Sequence, residues 1–187
     1  MFFKGLTSSI IDMLQTIVLA VSIFMVSYLF LVQPHQVKGP SMLPNFNDGE
    51  YLLTEKVSYR LGEPKRGDVV IFEAPQNKRD DYIKRIIGLP GETVSVSSGK
   101  VYVNGKLLQE SYLPADFKTQ PGAFLTENLQ YKIPDGQYFV LGDNRSHSLD
   151  SRALGPIKKK TIVGRAWLVY WPMNLTGFVP KVVYAGM

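Results

Sequence analysis

Residues 16–32 read TIVLAVSIFMVSYLFLV and carry no charge. With Met13, Leu14 and Gln15 the apolar run reaches about 20 residues, enough to cross roughly 30 Å of hydrocarbon as an α-helix. A helix apolar on every side has no polar face to turn to water, so it does not sit on the surface of a globular domain. A cleaved targeting segment has a shorter apolar core and a small-x-small exit. Here residues 33–38 read QPHQVK and contain no such exit. The chain therefore divides into a short N-terminal tail (1–12), an uncleaved membrane anchor (13–33) and one domain (34–187). Charge does not orient the span. Only Lys4 and the amino terminus precede it, and Lys38 follows closely, so the flanking count is weak.

The remainder, about 150 residues, is enough for one compact core. It reads as mainly β. Residues 50–57 and 68–73 alternate or run apolar around a turn at residues 64–67. Residues 82–87 form another strand, ended by Gly88-Leu89-Pro90-Gly91, and residues 93–96 continue it. Residues 101–108 signal a hairpin, because Asn104-Gly105 suits the positive φ angles of a type I′ turn. Residues 137–141 and 162–171 are further strands. Residues 112–134 are loop-rich, within a small cap excursion over about residues 109–136. Many short strands and few helices beyond the anchor predict a folded antiparallel sheet or a barrel-like domain.

Composition narrows the chemistry. The chain has no cysteine, which excludes a disulfide scaffold, a zinc-thiolate site, a thiol protease and an iron–sulfur protein. The net charge of +5 belongs to the domain, since Lys4 and Asp12 cancel. Lys158-Lys159-Lys160 reads as a solvated turn or a contact to anionic lipid headgroups. No RNP-type or zinc-finger pattern is present, so nucleic acid is not an expected partner.

Three segments carry candidate chemistry. Gly39-Pro40-Ser41-Met42-Leu43-Pro44 sets a serine between prolines, which also suits an ordinary surface turn. Pro44 stands where a penicillin-binding signature has lysine, and Leu43 where a nucleophile elbow has glycine. The two histidines, His35 and His147, have no convincing acid partner in sequence and read as solvated. In residues 80–92, strand alternation puts Tyr82, Lys84 and Ile86 on one face and Ile83, Arg85 and Ile87 on the other. Lys84 so placed would lose charge on burial and become able to take a proton from serine, whereas the Arg85 guanidinium stays charged. Residues 142–152, GDNRSHSLDSR, read as a polar loop, as a brace for a lysine, or as an oxygen-rich calcium site through Asp143, Ser146, Ser148 and Asp150. No EF-hand spacing supports the last.

In order, the anchor, the Gly-x-Ser-Met-x-Pro segment, Arg66-Gly67-Asp68-Val69-Val70, the Tyr82-to-Glu92 block and the Gly142-to-Arg152 block resemble the type I signal peptidase family of bacteria, its short Gram-positive-like members in particular. The resemblance covers nearly the whole chain. It implies a β-rich catalytic domain outside the cytoplasm, held by a single span whose N-terminus is cytoplasmic. It implies a serine endopeptidase that removes signal peptides from exported preproteins at the phospholipid membrane, with no metal and no cofactor. Carried over residue by residue, Ser41 matches the nucleophile and Lys84 the general base. Ser148 matches a hydroxyl that hydrogen-bonds the lysine, and Asp150 with Arg152 a pair bracing the site. Met42 and Pro44 match residues shaping the nucleophile loop. Gly39 stands where some members carry a serine that helps stabilise the oxyanion, leaving backbone N–H groups, including that of Ser41, to do so. Small residues are expected one and three positions before the cut.

Three other readings remain at this level, one of them a conjugation-type or pilin-processing relative with narrow substrates. A self-cleaving repressor peptidase shares the Ser/Lys arrangement but needs a DNA-binding segment and no span. A membrane-anchored binding module would leave Ser41 and Lys84 far apart.

Overall fold

The computed structural model describes the backbone of residues 2–182 and 184, and their side chains except those of residues 2–8 and 29. The Lys4 side chain, on which the orientation count partly rests, lies outside the described residues. Helix α1 (Phe2–Phe30) contains one segment, Ser9–Tyr28, long and apolar enough to cross a membrane, and none of it is buried against the domain. The helix stops at Phe30, whose ring lies 5.4 Å beneath the Arg60 guanidinium. Strand β1 (Val32–Gln36) follows after one residue. Val32 and Gln33, which the apolar run extended into the anchor, thus belong to a strand. Pro34 conceals that strand in the sequence, and its missing N–H restricts it to a sheet edge.

The domain contains β2 (Tyr51–Glu55), a short helix α2 (Ser58–Leu61), β3 (Val69–Glu73), β4 (Asp81–Gly88), β5 (Thr93–Ser97), β6 (Lys100–Val103), β7 (Lys106–Leu107), β8 (Tyr131–Lys132), β9 (Gln137–Leu141), α3 (Ser151–Leu154), β10 (Ile157–Lys158), β11 (Ile162–Trp171) and β12 (Gly177–Phe178). The larger sheet runs β1-β2-β11-β3-β4-β9-β10, with β12 also on β11, and the smaller runs β7-β6-β5-β8. All pairings are antiparallel. The mainly β expectation agrees with this architecture. Of the two forms expected, the folded antiparallel sheet is the one formed: closing a barrel needs the last strand to pair with the first, and among the described residues the two-residue β10 pairs with β9 alone.

Short elements are where the sequence was least legible. β8, β10 and β12 have two residues each, too few to show a period. The hairpin turn is as expected, with φ of 51° at Asn104 and 75° at Gly105. Residues 112–134 are mostly irregular but not detached. Leu125 and Ile133 are buried in one cluster with Val94, Val96, Val101 and Phe139. The N–H groups of Phe124 and Leu125 both donate to the Arg152 carbonyl. A second cluster, of Val37, Met42, Leu52, Ile71 and Ile83 among others, fills the concave face of the larger sheet, and the candidate site stands on it.

Candidate active site

Met42 is fully buried in that second cluster and pins the turn that presents Ser41. The N–H groups of Asn45 and Phe46 both donate to the Met42 carbonyl at 3.0 Å. Gly39 enters the turn at φ +80°, a region that side chains disfavour, and its N–H donates to Asp48 Oδ1 at 2.8 Å. Ser41, half-buried, faces the cleft that begins there.

Lys84 reaches Ser41 from β4, where it pairs with Val70 of β3. Its Nζ lies 2.9 Å from Ser41 Oγ and 2.8 Å from the Ile83 carbonyl oxygen. The residue is only 4% exposed. Burial pushes its pKa down to about 8, while the charges of Asp150 and Asp143 pull against that shift. An amine whose neutral form is reached at a lower pH than an ordinary lysine's, and which lies within hydrogen-bond reach of a hydroxyl, can take its proton.

The loop after β9 clamps this pair. Asn144 donates its N–H to the Ser41 carbonyl and its Nδ2 to the Pro40 carbonyl, both at 3.0 Å. Asp143 receives Arg85 in a fork, Nε to Oδ1 at 2.8 Å and Nη2 to Oδ2 at 2.6 Å, with Asn45 Nδ2 also on Oδ2. Arg85 in turn lies 4.2 Å over the Tyr112 ring. Asp150 accepts the Gly142 N–H, caps α3 at the Arg152 N–H and pairs with the Arg152 guanidinium. Arg152 continues to the carbonyls of Arg145 and Gln120. Arg145 is held by Glu110 and Thr119. A Cβ at Gly142 would run into Ser148 Oγ and the Ser41 carbonyl, so only glycine lets the loop approach the nucleophile this closely.

The expected bond from Ser148 to Lys84 is not formed. Ser148 Oγ is buried without a hydrogen-bond partner, because Lys84 Nζ is turned to Ser41 and the Ile83 carbonyl. Asp143 and Asp150 each face an arginine, and among the described residues no group of three His, Asp or Glu could hold a metal ion. His147 is exposed, beside Ser146. His35 is not solvated as expected. It is half-buried, with Nδ1 2.8 Å from Thr54 Oγ1 and Nε2 3.2 Å from Asp81 Oδ2.

Asn144, Asp143, Arg85 and Arg145 were not singled out for positioning from sequence. All but Arg85 lie in the 142–152 block, and their partners are remote in the chain. A cleft of about 590 Å³ opens from Ser41 and Lys84, with Val37, Leu52, Ile71 and Ile83 among its walls.

A family model described as "Signal peptidase, peptidase S26" matches residues 10–171. Signal peptidase IB of Staphylococcus aureus (strain COL) is 40% identical over 176 residues, covering 88% of this chain and 91% of its own. Signal peptidase I of Bacillus licheniformis is 41% identical over 171 residues, covering 89% and 91%. A crystal structure of a signal peptidase I from Enterococcus faecalis V583 is 32% identical, with a TM-score of 0.45 over 55% of this chain and 96% of that one.

Proposed function

Because this chain belongs to the peptidase S26 family of signal peptidases, we propose that it is a membrane-bound serine endopeptidase cutting N-terminal signal peptides from exported preproteins through a Ser41–Lys84 dyad. The observation that carries the dyad is the 2.9 Å approach of Lys84 Nζ to Ser41 Oγ inside a buried site.

Neutral Lys84 takes the Ser41 proton as Oγ attacks the scissile carbonyl. The ammonium then gives a proton to the leaving amine as the acyl-enzyme forms. Water, deprotonated by the same lysine, attacks the ester, and the proton returns to Ser41 as the signal peptide departs. Backbone N–H groups at the Ser41 turn stabilise the oxyanion, since Gly39 offers no hydroxyl. Asn144, Asp143 and Asp150 hold the turn and the loop in register and do not touch the reacting atoms. Met42 and Pro44 shape the turn.

Two observations support work at a phospholipid surface, with the N-terminus in the cytoplasm, the apolar helix that ends at Phe30 as anchor and the sheet domain that begins at Val32 outside. Val32 lies nine residues before Ser41, a reach of at most about 30 Å. Between residues 171 and 180, Trp171, Met173, Leu175 and Phe178 are all exposed, next to Trp167 against the Phe178 ring. Aromatic and aliphatic side chains so exposed suit a headgroup boundary, whereas Val179 turns inward onto the core.

The test uses the full chain in phospholipid vesicles with a preprotein. The protein sediments with the vesicles and releases one new N-terminus, just after the signal peptide, as read by mass spectrometry. A vesicle-bound chain that leaves the preprotein intact would sink the assignment.

A further inference from the structure

β1 and β4 are four steps apart in the sheet order, yet the curl of the sheet brings their inner faces together. Gln33, His35 and Val37 fall on one face of the first strand, and Asp81 and Ile83 on one face of the other. Val37 and Ile83 meet in the same apolar cluster. Two residues further along each strand, His35 Nε2 meets Asp81 Oδ2 at 3.2 Å. A carboxylate only accepts, so a hydrogen bond between the two needs a proton on Nε2. Nδ1 faces the hydroxyl of Thr54, which is fully buried and holds the ring in place. Gln33 Nε2 also lies 3.3 Å from Nε2.

Both partners line the cleft that contains Ser41 and Lys84. Asp81 precedes Lys84 by three residues on an extended strand, a separation of about 10 Å. The histidine side chain is 14% exposed and the aspartate 33%, and a single partly exposed hydrogen bond is weak enough to open. β1 follows the candidate span directly, so the pair lies on the side of Ser41 from which that span enters the domain.

We propose that His35 and Asp81 form a clasp across the substrate cleft that selects against bulky side chains at the fourth position before the scissile bond. The inference rests on the function proposed above. A signal peptide whose apolar stretch lies in the membrane reaches Ser41 from the anchor side, so the residues before the cut pass the clasp. With the residue before the cut opposite Lys84, three more strand residues bring the fourth to Asp81. A small side chain passes beneath the closed pair, and a large one must break it. The position lies outside the small residues expected one and three places before the cut.

The test compares two preprotein peptides that differ only at that fourth position, alanine or tryptophan, with the full chain in detergent micelles. The wild type prefers alanine by about tenfold in kcat/KM, the scale on which a tight pocket rejects added bulk. In His35→Ala and Asp81→Ala the ratio falls to within about twofold, and His35→Gln, which keeps an N–H donor, restores part of it. Because the readout is a ratio, a general loss of activity cancels. Binding of the same peptides to Ser41→Ala protein, with and without His35→Ala, gives the same discrimination without turnover. No preference in the wild type, or one that survives both alanine substitutions, overturns the clasp. If no peptide is cut at all, the proposed function fails while the binding ratio still decides the clasp.

Discussion

Ser41→Ala lowers preprotein cleavage by at least about 10⁴-fold, and Lys84→Ala does the same, since groups that act as a unit lose nearly everything when either is removed. Without Oγ there is no acyl-enzyme. Without the amine the hydroxyl keeps its proton, because His35 and His147 bond elsewhere and no other described base stands at hydrogen-bond distance from Ser41 Oγ. Lys84→Arg separates the roles of charge and basicity. A guanidinium keeps the positive charge and stays protonated, so this variant is as inactive as alanine. Lys84→Met makes a companion measurement. It removes an amine whose pKa burial has lowered from 10.5 to about 8, a depression that corresponds to about 3 kcal/mol against the charged form. The methionine variant therefore unfolds at a higher temperature than the wild type while cleaving nothing. A thermal scan beside the cleavage assay checks both, and an active Lys84→Arg would remove the amine from its place as base.

Asp143→Ala carries the largest stability loss. The Arg85–Asp143 fork is almost wholly buried, at 4% and 0% side-chain exposure. Breaking a buried pair leaves an uncompensated charge and costs about 3–5 kcal/mol, or roughly 10 °C in the Tm of a domain this size. Asn45 loses a partner as well, and with it one tie between the nucleophile turn and the 142–152 loop. Activity falls with stability, through displacement of Ser41 and not through lost chemistry. A double replacement, Arg85→Met with Asp143→Leu, removes both charges and recovers most of the Tm, as apolar replacements of buried pairs do. If the double variant is no more stable than Asp143→Ala, the buried charge is not the cause.

Much of this site was legible because it lies in compact motifs. Ser41, between prolines, and Lys84, on a strand with alternating faces, are residues whose local pattern already restricts their conformation. What surrounds them was not legible, because it depends on which strands become neighbours. Arg85 finds Asp143 58 positions away, and His35 meets Asp81 only because the sheet curls β1 over β4. Asn144 reaches back to Pro40 and Ser41 across more than a hundred residues. The end of the first helix is hidden in the sequence because Leu31 and Val32 continue the apolar run while the backbone changes from helix to strand. Many short strands point to a folded sheet or a barrel alike, and what leaves the sheet open is a two-residue terminal strand with no period to read. Ser148 teaches the opposite lesson. A residue carried over by resemblance sits in the expected neighbourhood, yet its hydroxyl makes no bond.

The most direct test of the central claim is the pH dependence of kcat/KM for preprotein cleavage by the full chain. Lys84 serves as base only when neutral, and its pKa is about 8. The rate should therefore rise tenfold per pH unit below that value and level off above it, with Ser41→Ala silent throughout. A rate that is flat between pH 6 and 9, or that keeps rising to the ordinary lysine value of about 10.4, would contradict a buried neutral lysine as the base.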